Sequence, residues 1–147
     1  MLSTRGSVLL GWRESTRDVD LKFDPEPAGA FEAVRSLKDR LDINVELATP
    51  EDFIPVPAER RSGGTWIAEH GGVQFYHYDF PAQALAKIER GHAQDLADAR
   101  EMVARGLARS EDIRAVFERI QSDLPRYPAI DPDDFRSKVE QFLGSLT

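Results

Sequence analysis

The chain has 147 residues, 41% of them hydrophobic, and a formal net charge of −7. This composition is typical of one globular domain with a buried core and excludes a disordered chain. The negative charge argues against a general nucleic-acid scaffold, because phosphate contacts require a basic face. The absence of cysteine excludes disulfides and thiolate chemistry and agrees with a cytoplasmic location. No apolar run is long enough to span a membrane, so no membrane partner is expected.

Apolar periodicity and turn residues predict an α+β chain. The predicted strands are Asp18–Phe23, Ile43–Leu47, Thr65–Glu69 and Val73–Tyr78. The predicted helices are residues 28–41, Ala82–Arg90, Ala93–Arg105, Glu111–Leu124 and Pro132–Leu143. We therefore expect a short mixed sheet with a flanking helix and a C-terminal helical bundle. The α+β region covers residues 1–80 and the helical region residues 81–147, packed as a single compact unit.

The densest chemical signal lies in residues 6–20, where Gly6-Ser7 precedes Asp18-Val19-Asp20. Acids at positions i and i+2 of a strand point to one face, and they repel each other unless a cation lies between them. Such oxygen ligands suit Mg²⁺ or Mn²⁺, and Mg²⁺ is usually bound by one or two carboxylates together with substrate phosphates. A glycine turn lets backbone N–H groups approach a triphosphate, so Gly6 and Ser7 are candidate nucleotide-binding residues. The alternative is a solvated strand end with incidental acids.

The second predicted strand offers a third acid. Asn44 and Glu46 alternate there with apolar residues, so burial of the apolar positions in both strands brings Glu46 to the same face as Asp18 and Asp20. A third carboxylate is what a two-metal phosphoryl-transfer centre requires. Glu46 is therefore the candidate third metal ligand. The alternative is a polar residue on a solvated sheet face.

A second concentration of charge lies between Lys87 and Asp98. On a continuous helix Lys87, Asp95 and Asp98 share one face, and Lys87 and Arg90 present two positive groups to a phosphate. The alternative is an exposed helix with weak surface ion pairs, such as Lys87 with Asp95. Both interpretations expect an exposed Lys87.

Other residues leave alternatives open. A local basic funnel for a nucleotide is compatible with the negative net charge, and its members are Arg13, Arg17, Lys22, Lys87 and Arg90. Trp66 could stack on a base, although core packing is the preferred interpretation. A helical stripe near the C-terminus is either core or a homodimer surface, and it consists of Phe135, Val139, Phe142 and Leu143.

Three segments carry a resemblance to a known family: GWRESTRDVDL, NVELATPEDFIP and ALAKIERGHAQDLADA. They resemble small bacterial nucleotidyltransferases of the polymerase-β-like superfamily and, more distantly, nucleotidyltransferase toxins of abortive-infection-type toxin–antitoxin pairs. The resemblance extends from about Val8 to Ala129. It implies that Asp18 and Asp20 bind metal, that Lys87 contacts nucleotide phosphate, and that Asp95 completes the catalytic site. Arg90 is a neighbouring candidate.

The expected function is Mg²⁺-dependent transfer of a nucleoside monophosphate from an NTP to a hydroxyl acceptor. The resemblance implies that the acceptor is a tRNA 3′ end or a hydroxyl on a partner protein, within a toxin–antitoxin system. The rival interpretation is a catalytically weak relative that binds a protein partner, as an antitoxin or a regulatory subunit does.

Overall fold

The structure, a computed structural model, describes residues 10–11, 17–62 and 64–147, and in this part the chain is mixed α+β. The strands are β1 (Asp18–Asp20), β2 (Asn44–Glu46), β3 (Thr65–His70) and β4 (Val73–His77). The helices are α1 (Ala30–Leu41), α2 (Phe80–Arg90), α3 (Ala93–Ala104), α4 (Ser110–Ile120) and α5 (Pro132–Gly144). Single turns of 3₁₀ helix occur at Pro50–Asp52 and Ala58–Arg60, and a longer one at Gln121–Arg126. Within the described residues, no helix combines the length and the apolar character needed to cross a membrane.

The chain divides into two compact units. The first comprises the residues up to Thr49 together with Thr65–Tyr78, and the second comprises Pro50–Gly64 together with Asp79–Thr147. The irregular segment 50–64 belongs with the helices. Its apolar side chains explain this, because Ile54 and Val56 are buried. The phenol of Tyr127 also donates a hydrogen bond to the carbonyl of Glu51 (2.8 Å), and burial raises the pKa of this phenol.

Strands β1 and β2 form a parallel pair, and helix α1 lies between them in the chain. Val19 of β1 and Val45 of β2 are buried opposite each other. Half-buried apolar residues pack around this pair, namely Leu21, Val34, Ile43 and Ile67. In the described residues this pair and the β3–β4 pair are two separate sheets, where a single mixed sheet was expected.

Helix α1 is less buried than its apolar periodicity predicts. It begins after Gly29 and ends at Asp42, two residues with positive φ (77° and 49°). Val34 packs on the small core, but Phe31, Leu37 and Leu41 are exposed. Among the described residues, the two strands next to this helix of 12 residues have only three residues each.

Strands β3 and β4 form an antiparallel hairpin closed by Gly71 and Gly72. Both glycines have positive φ (57° and 77°), which a two-residue turn of type I′ requires. The pairing contains an irregularity, since Trp66 lies opposite Tyr76 while Ala68 already lies opposite Phe75. One extra residue on β3 is therefore a β-bulge.

Helix α2 is the centre of the helical unit. Its residues from Phe80 to Ile88 are buried, and it packs against α3, α4 and α5, as expected for a helix covered on all sides. The Asp79 side chain caps its first turn by accepting a hydrogen bond from the Ala82 N–H (3.0 Å). The C-terminal stripe on α5 is core and not a dimer surface, because its four members are buried: Phe135, Val139, Phe142 and Leu143.

Candidate functional site

The polar face of the β1–β2 pair carries the predicted acids. Two backbone hydrogen bonds fix the pairing, from the Asn44 N–H to the Arg17 carbonyl (2.6 Å) and from the Leu21 N–H to the Glu46 carbonyl (2.8 Å). In this register Asp18 lies opposite Asn44, and Asp20 lies opposite Glu46. Since the central valine of each strand is buried, the flanking residues emerge on the other face. The structure thus brings Asp18, Asp20 and Glu46 to one face.

Asn44 organises two of these carboxylates. Its Nδ2 donates hydrogen bonds to Oδ1 of Asp18 (3.3 Å) and to Oε1 of Glu46 (3.0 Å). One amide group therefore holds two negatively charged side chains near each other. The sequence places Asn44 on this face but does not reveal its role, because which side chains it bridges depends on the strand register.

The predicted three-carboxylate metal centre is not formed in the described residues. No three side chains of His, Cys, Asp or Glu in this part of the chain are placed to hold a metal ion. In the arrangement that is present, the Asn44 amide donates hydrogen bonds to Asp18 and Glu46. Asp18 and Asp20 still offer the hard oxygen donors that Mg²⁺ and Mn²⁺ prefer.

Two cationic residues, Arg17 and Lys22, lie close to Asp18 and Asp20 in the sequence. Arg17, directly before Asp18, forms an exposed ion pair with Asp42 (3.3 Å). Such a pair is weak, because water screens it and two long side chains must be ordered. Lys22 Nζ lies over the Tyr78 ring, 5.7 Å from its centre. Three other predicted nucleotide-binding positions, Gly6, Ser7 and Arg13, lie outside the described residues.

Lys87 is buried, so the expectation of an exposed lysine is wrong. Its residue is only 6% exposed, and its Nζ contacts Oδ2 of Asp98 (3.0 Å) and Oδ1 of Asp95 (3.4 Å). The cause is the central position of α2, whose solvent access is removed by the neighbouring helices. A charged residue is tolerated in such a place only when opposite charges accompany it.

The acids around Lys87 come from a second helix. Gly91, with φ of 72°, ends α2, and α3 starts at Ala93. The break between two helices at this point is as predicted, and packing of α3 on α2, rather than one continuous helical face, brings Asp95 and Asp98 to Lys87.

Two further donors complete this cluster. The Arg90 guanidinium donates to Oδ1 of Asp95 (2.6 Å), and the Gln94 amide donates to Oδ1 of Asp98 (3.2 Å). Arg90 is part-exposed and stacks over the Phe53 ring at 5.1 Å. In these contacts two cations face two carboxylates. The cluster holds α2 and α3 together, and Arg90 is its most accessible cation.

The predicted site residues thus form two clusters, one in each compact unit. Asp18, Asp20 and Glu46 belong to the α+β unit, whereas Lys87, Arg90 and Asp95 belong to the helical unit. Comparison of the chain with protein-family models, with curated proteins and with solved structures gives no match.

Proposed function

We propose that the chain is a nucleotidyltransferase-type protein, in fold and in activity. In this proposal it binds an NTP with Mg²⁺ or Mn²⁺ and transfers the nucleoside monophosphate to a hydroxyl acceptor. The observation that supports it most is the polar face of β1 and β2, where Asp18 and Asp20 share one face with Glu46 in register on the neighbouring strand. The resemblance of three sequence segments to nucleotidyltransferases agrees with this interpretation.

The residues of this face have distinct roles in the proposal. Asp18 and Asp20 hold the cation, which when bound supplies positive charge to the triphosphate and lowers the pKa of the attacking hydroxyl. Asn44 orients Asp18 and Glu46 through its two hydrogen bonds. Arg17 can exchange its exposed ion pair with Asp42 for a phosphate.

The reaction is a substitution at the α-phosphorus of the NTP. The acceptor oxygen forms a new bond to this phosphorus, and the bond from it to the bridging oxygen of the β-phosphate breaks. Pyrophosphate leaves with the bonding electron pair, and the acceptor proton passes to Glu46 or to water. The acceptor is a tRNA 3′ end or a hydroxyl group on a partner protein.

The assignment of Lys87 to nucleotide phosphate stays a prediction. A phosphate would have to displace Asp95 or Asp98 from Lys87, and both carboxylates lie within 3.4 Å of its Nζ. Arg90 is more exposed than Lys87, so a phosphate can contact it with a smaller desolvation penalty. We therefore propose Arg90 as the first contact of this cluster with a nucleotide.

A second candidate function is a protein-binding module, as in an antitoxin. The observation in its favour is the exposed apolar surface of α1, formed by Phe31, Leu37 and Leu41. Exposed apolar residues that cluster on one element often mark a protein interface.

Transfer of labelled nucleotide tests the first proposal. The purified chain is incubated with each α-labelled NTP, Mg²⁺ and total RNA or a co-expressed partner. Asp18→Asn and Asp20→Asn should each lower transfer by about 100-fold or more, because a charge placed where the transition state develops charge contributes strongly. Glu32→Gln, which removes an exposed acid from α1, is the matched control and should retain activity. Absence of transfer by the wild type with all four NTPs, or equal transfer by all variants, would refute the enzyme and favour the binding module.

A further inference from the structure

Trp66 on strand β3 is exposed, in contrast to the expected core packing. The residue retains 58% of its accessible surface. It lies in the hairpin opposite Tyr76, which is half-buried. This large exposed aromatic residue lies directly before the β-bulge of β3, and its surroundings show what holds its ring in place.

Hydrogen bonds fix the orientation of the Trp66 ring. Its Nε1–H donates to Oε1 of Gln74 (2.7 Å), and Nε2 of Gln74 donates to Oε2 of Glu69 (2.6 Å). The polar edge of the indole is thereby satisfied within the hairpin. An aromatic ring held in this way loses little conformational entropy when a ligand stacks on it.

The β-bulge brings the acid to the same face as the ring. Without it, Trp66 and Glu69 would point to opposite sides, since they are three residues apart. The extra residue changes the alternation, so that Trp66 pairs with Tyr76 and Glu69 pairs with Gln74. Paired residues share a side of the sheet, as do residues two apart on β4. We call these four residues, Trp66, Glu69, Gln74 and Tyr76, the Trp66 face.

The charge of the hairpin selects the kind of ligand. The segment from Thr65 to His77 contains one acid, Glu69, and neither lysine nor arginine. Sites for single-stranded nucleic acid combine aromatic stacking with a positively charged groove, whereas beside the hairpin the structure shows one lysine, Lys22, which already lies over the Tyr78 ring (5.7 Å). An indole ring beside a carboxylate suits a cation, which is attracted to the ring face and to the negative charge.

We propose that the Trp66 face docks an arginine side chain from a basic segment of a partner protein. The planar guanidinium stacks on the indole and donates hydrogen bonds to the Glu69 carboxylate, whose oxygens can each accept more than one. Arginine suits this arrangement better than lysine, because its guanidinium is planar, less strongly hydrated and able to donate in a fork. This docking is independent of the proposed nucleotide transfer, and it would operate equally in an enzyme and in a binding module.

The test uses the full chain and a short Ser-Gly peptide that carries several arginines. Matched peptides carry glutamine or lysine at the same positions, and a short single-stranded RNA is the competing probe. The readout is the NMR signal of the Trp66 indole N–H, which is identified by its loss in Trp66→Phe. The arginine peptide should shift this signal at about 150 mM salt, where surface charges are strongly screened. The lysine peptide should bind more weakly and the glutamine peptide should not bind.

Variants of the hairpin distinguish binding through the Trp66 ring from general charge attraction. Trp66→Ala should weaken the affinity for the arginine peptide by about 3- to 30-fold, the range expected for a cation–aromatic contact, and Glu69→Gln by about 2- to 5-fold, because it removes an exposed ion pair. Val73→Ser is the matched control, because Val73 is exposed on the opposite face of the same hairpin and should change affinity less than about twofold. Circular dichroism verifies that each variant is folded, and Glu69→Gln provides the test if Trp66→Ala unfolds.

Three results would overturn the proposal. Equal binding of the arginine and glutamine peptides would show that the cation is irrelevant. Equal loss of affinity in Val73→Ser and Glu69→Gln would show that the Trp66 face is not the site. A shift of the Trp66 signal by the RNA but not by the arginine peptide would replace a basic protein segment with nucleic acid as the ligand.

Discussion

At the scale of single residues, the buried lysine is the feature with the largest energetic consequence. Lys87 and Asp98 are 6% and 1% exposed, so each has lost most of its hydration. Their attraction offsets this loss only while both partners are present. Removal of one leaves the other charge in a poorly solvated place, and that is more costly than the absence of the whole pair.

Lys87→Ala should therefore destabilise the helical unit by about 3–5 kcal/mol. Chemical denaturation measures the change. The double variant Lys87→Met, Asp98→Leu should recover part of the loss, because it removes both charges and keeps the volume. Arg114→Ala is the control, since it breaks an exposed pair with Glu140 and should hardly change the melting temperature. An equal effect of Lys87→Ala and Arg114→Ala would show that Lys87 is solvated.

Sequence alone predicts which residues lie on the polar face but not the interactions that they make there. Alternation places Asp18, Asp20 and Glu46 correctly relative to their buried neighbours, because a period of two is a local property. The bridge by Asn44 depends on which residue of β1 lies opposite it. The burial of Lys87 depends on three helices that pack around α2. These properties are tertiary, and a local pattern does not contain them.

At the scale of elements, helix ends with a clear local signal are predicted well, whereas α4 ends at Ile120, four residues before the predicted Leu124, and continues as a 3₁₀ helix. Helix α5 starts at Pro132 as expected, because Oδ1 of Asp131 accepts hydrogen bonds from the N–H groups of Asp133 and Asp134 (2.9 and 3.0 Å). Helix α3 ends one residue earlier than predicted, at Ala104. The extent of α1 is also close to the prediction, but the burial of its apolar side chains is not. The local sequence contains no information on how much of a sheet a helix packs against.

Removal of the cap tests this local control. Asp131→Ala should lower the stability of the helical unit by about 0.5–2 kcal/mol, because two N–H groups of the first turn lose their acceptor. Asp131→Asn should retain most of the stability, since asparagine caps about as well as aspartate. Thermal melts of the two variants measure the difference. If both variants lose the same amount of stability, the negative charge of Asp131 and not its capping hydrogen bonds is responsible.

At the scale of the whole molecule, the two units differ in how they are stabilised. The helical unit buries a central helix among three others, whereas among the described residues of the α+β unit the cluster under β1 and β2 consists of two buried valines with half-buried apolar neighbours. Stability follows buried apolar area. The two units are therefore expected to open with different free energies.

Hydrogen exchange measures this difference directly. Amides in the middle of α2 should exchange slowest, and those of β1 and β2 should exchange faster by at least about tenfold, which corresponds to 1.4 kcal/mol of opening free energy. The comparison is made after correction for intrinsic exchange rates. Similar protection in both units would show that the chain unfolds as one cooperative body.

The amide that bridges Asp18 and Glu46 has a consequence for how such a site could change over evolutionary time. Aspartate differs from asparagine by one oxygen in place of a nitrogen, and at position 44 this exchange would turn a donor into a further acceptor. Asp18, Glu46 and residue 44 would then be three neighbouring acids without a shared proton donor, and because these side chains are exposed, water and salt would only partly screen their repulsion. A bound multivalent cation would reduce this repulsion further and would stabilise the unit through mass action. A single nucleotide change would thereby make the stability of this unit more dependent on ionic conditions than it is with Asn44.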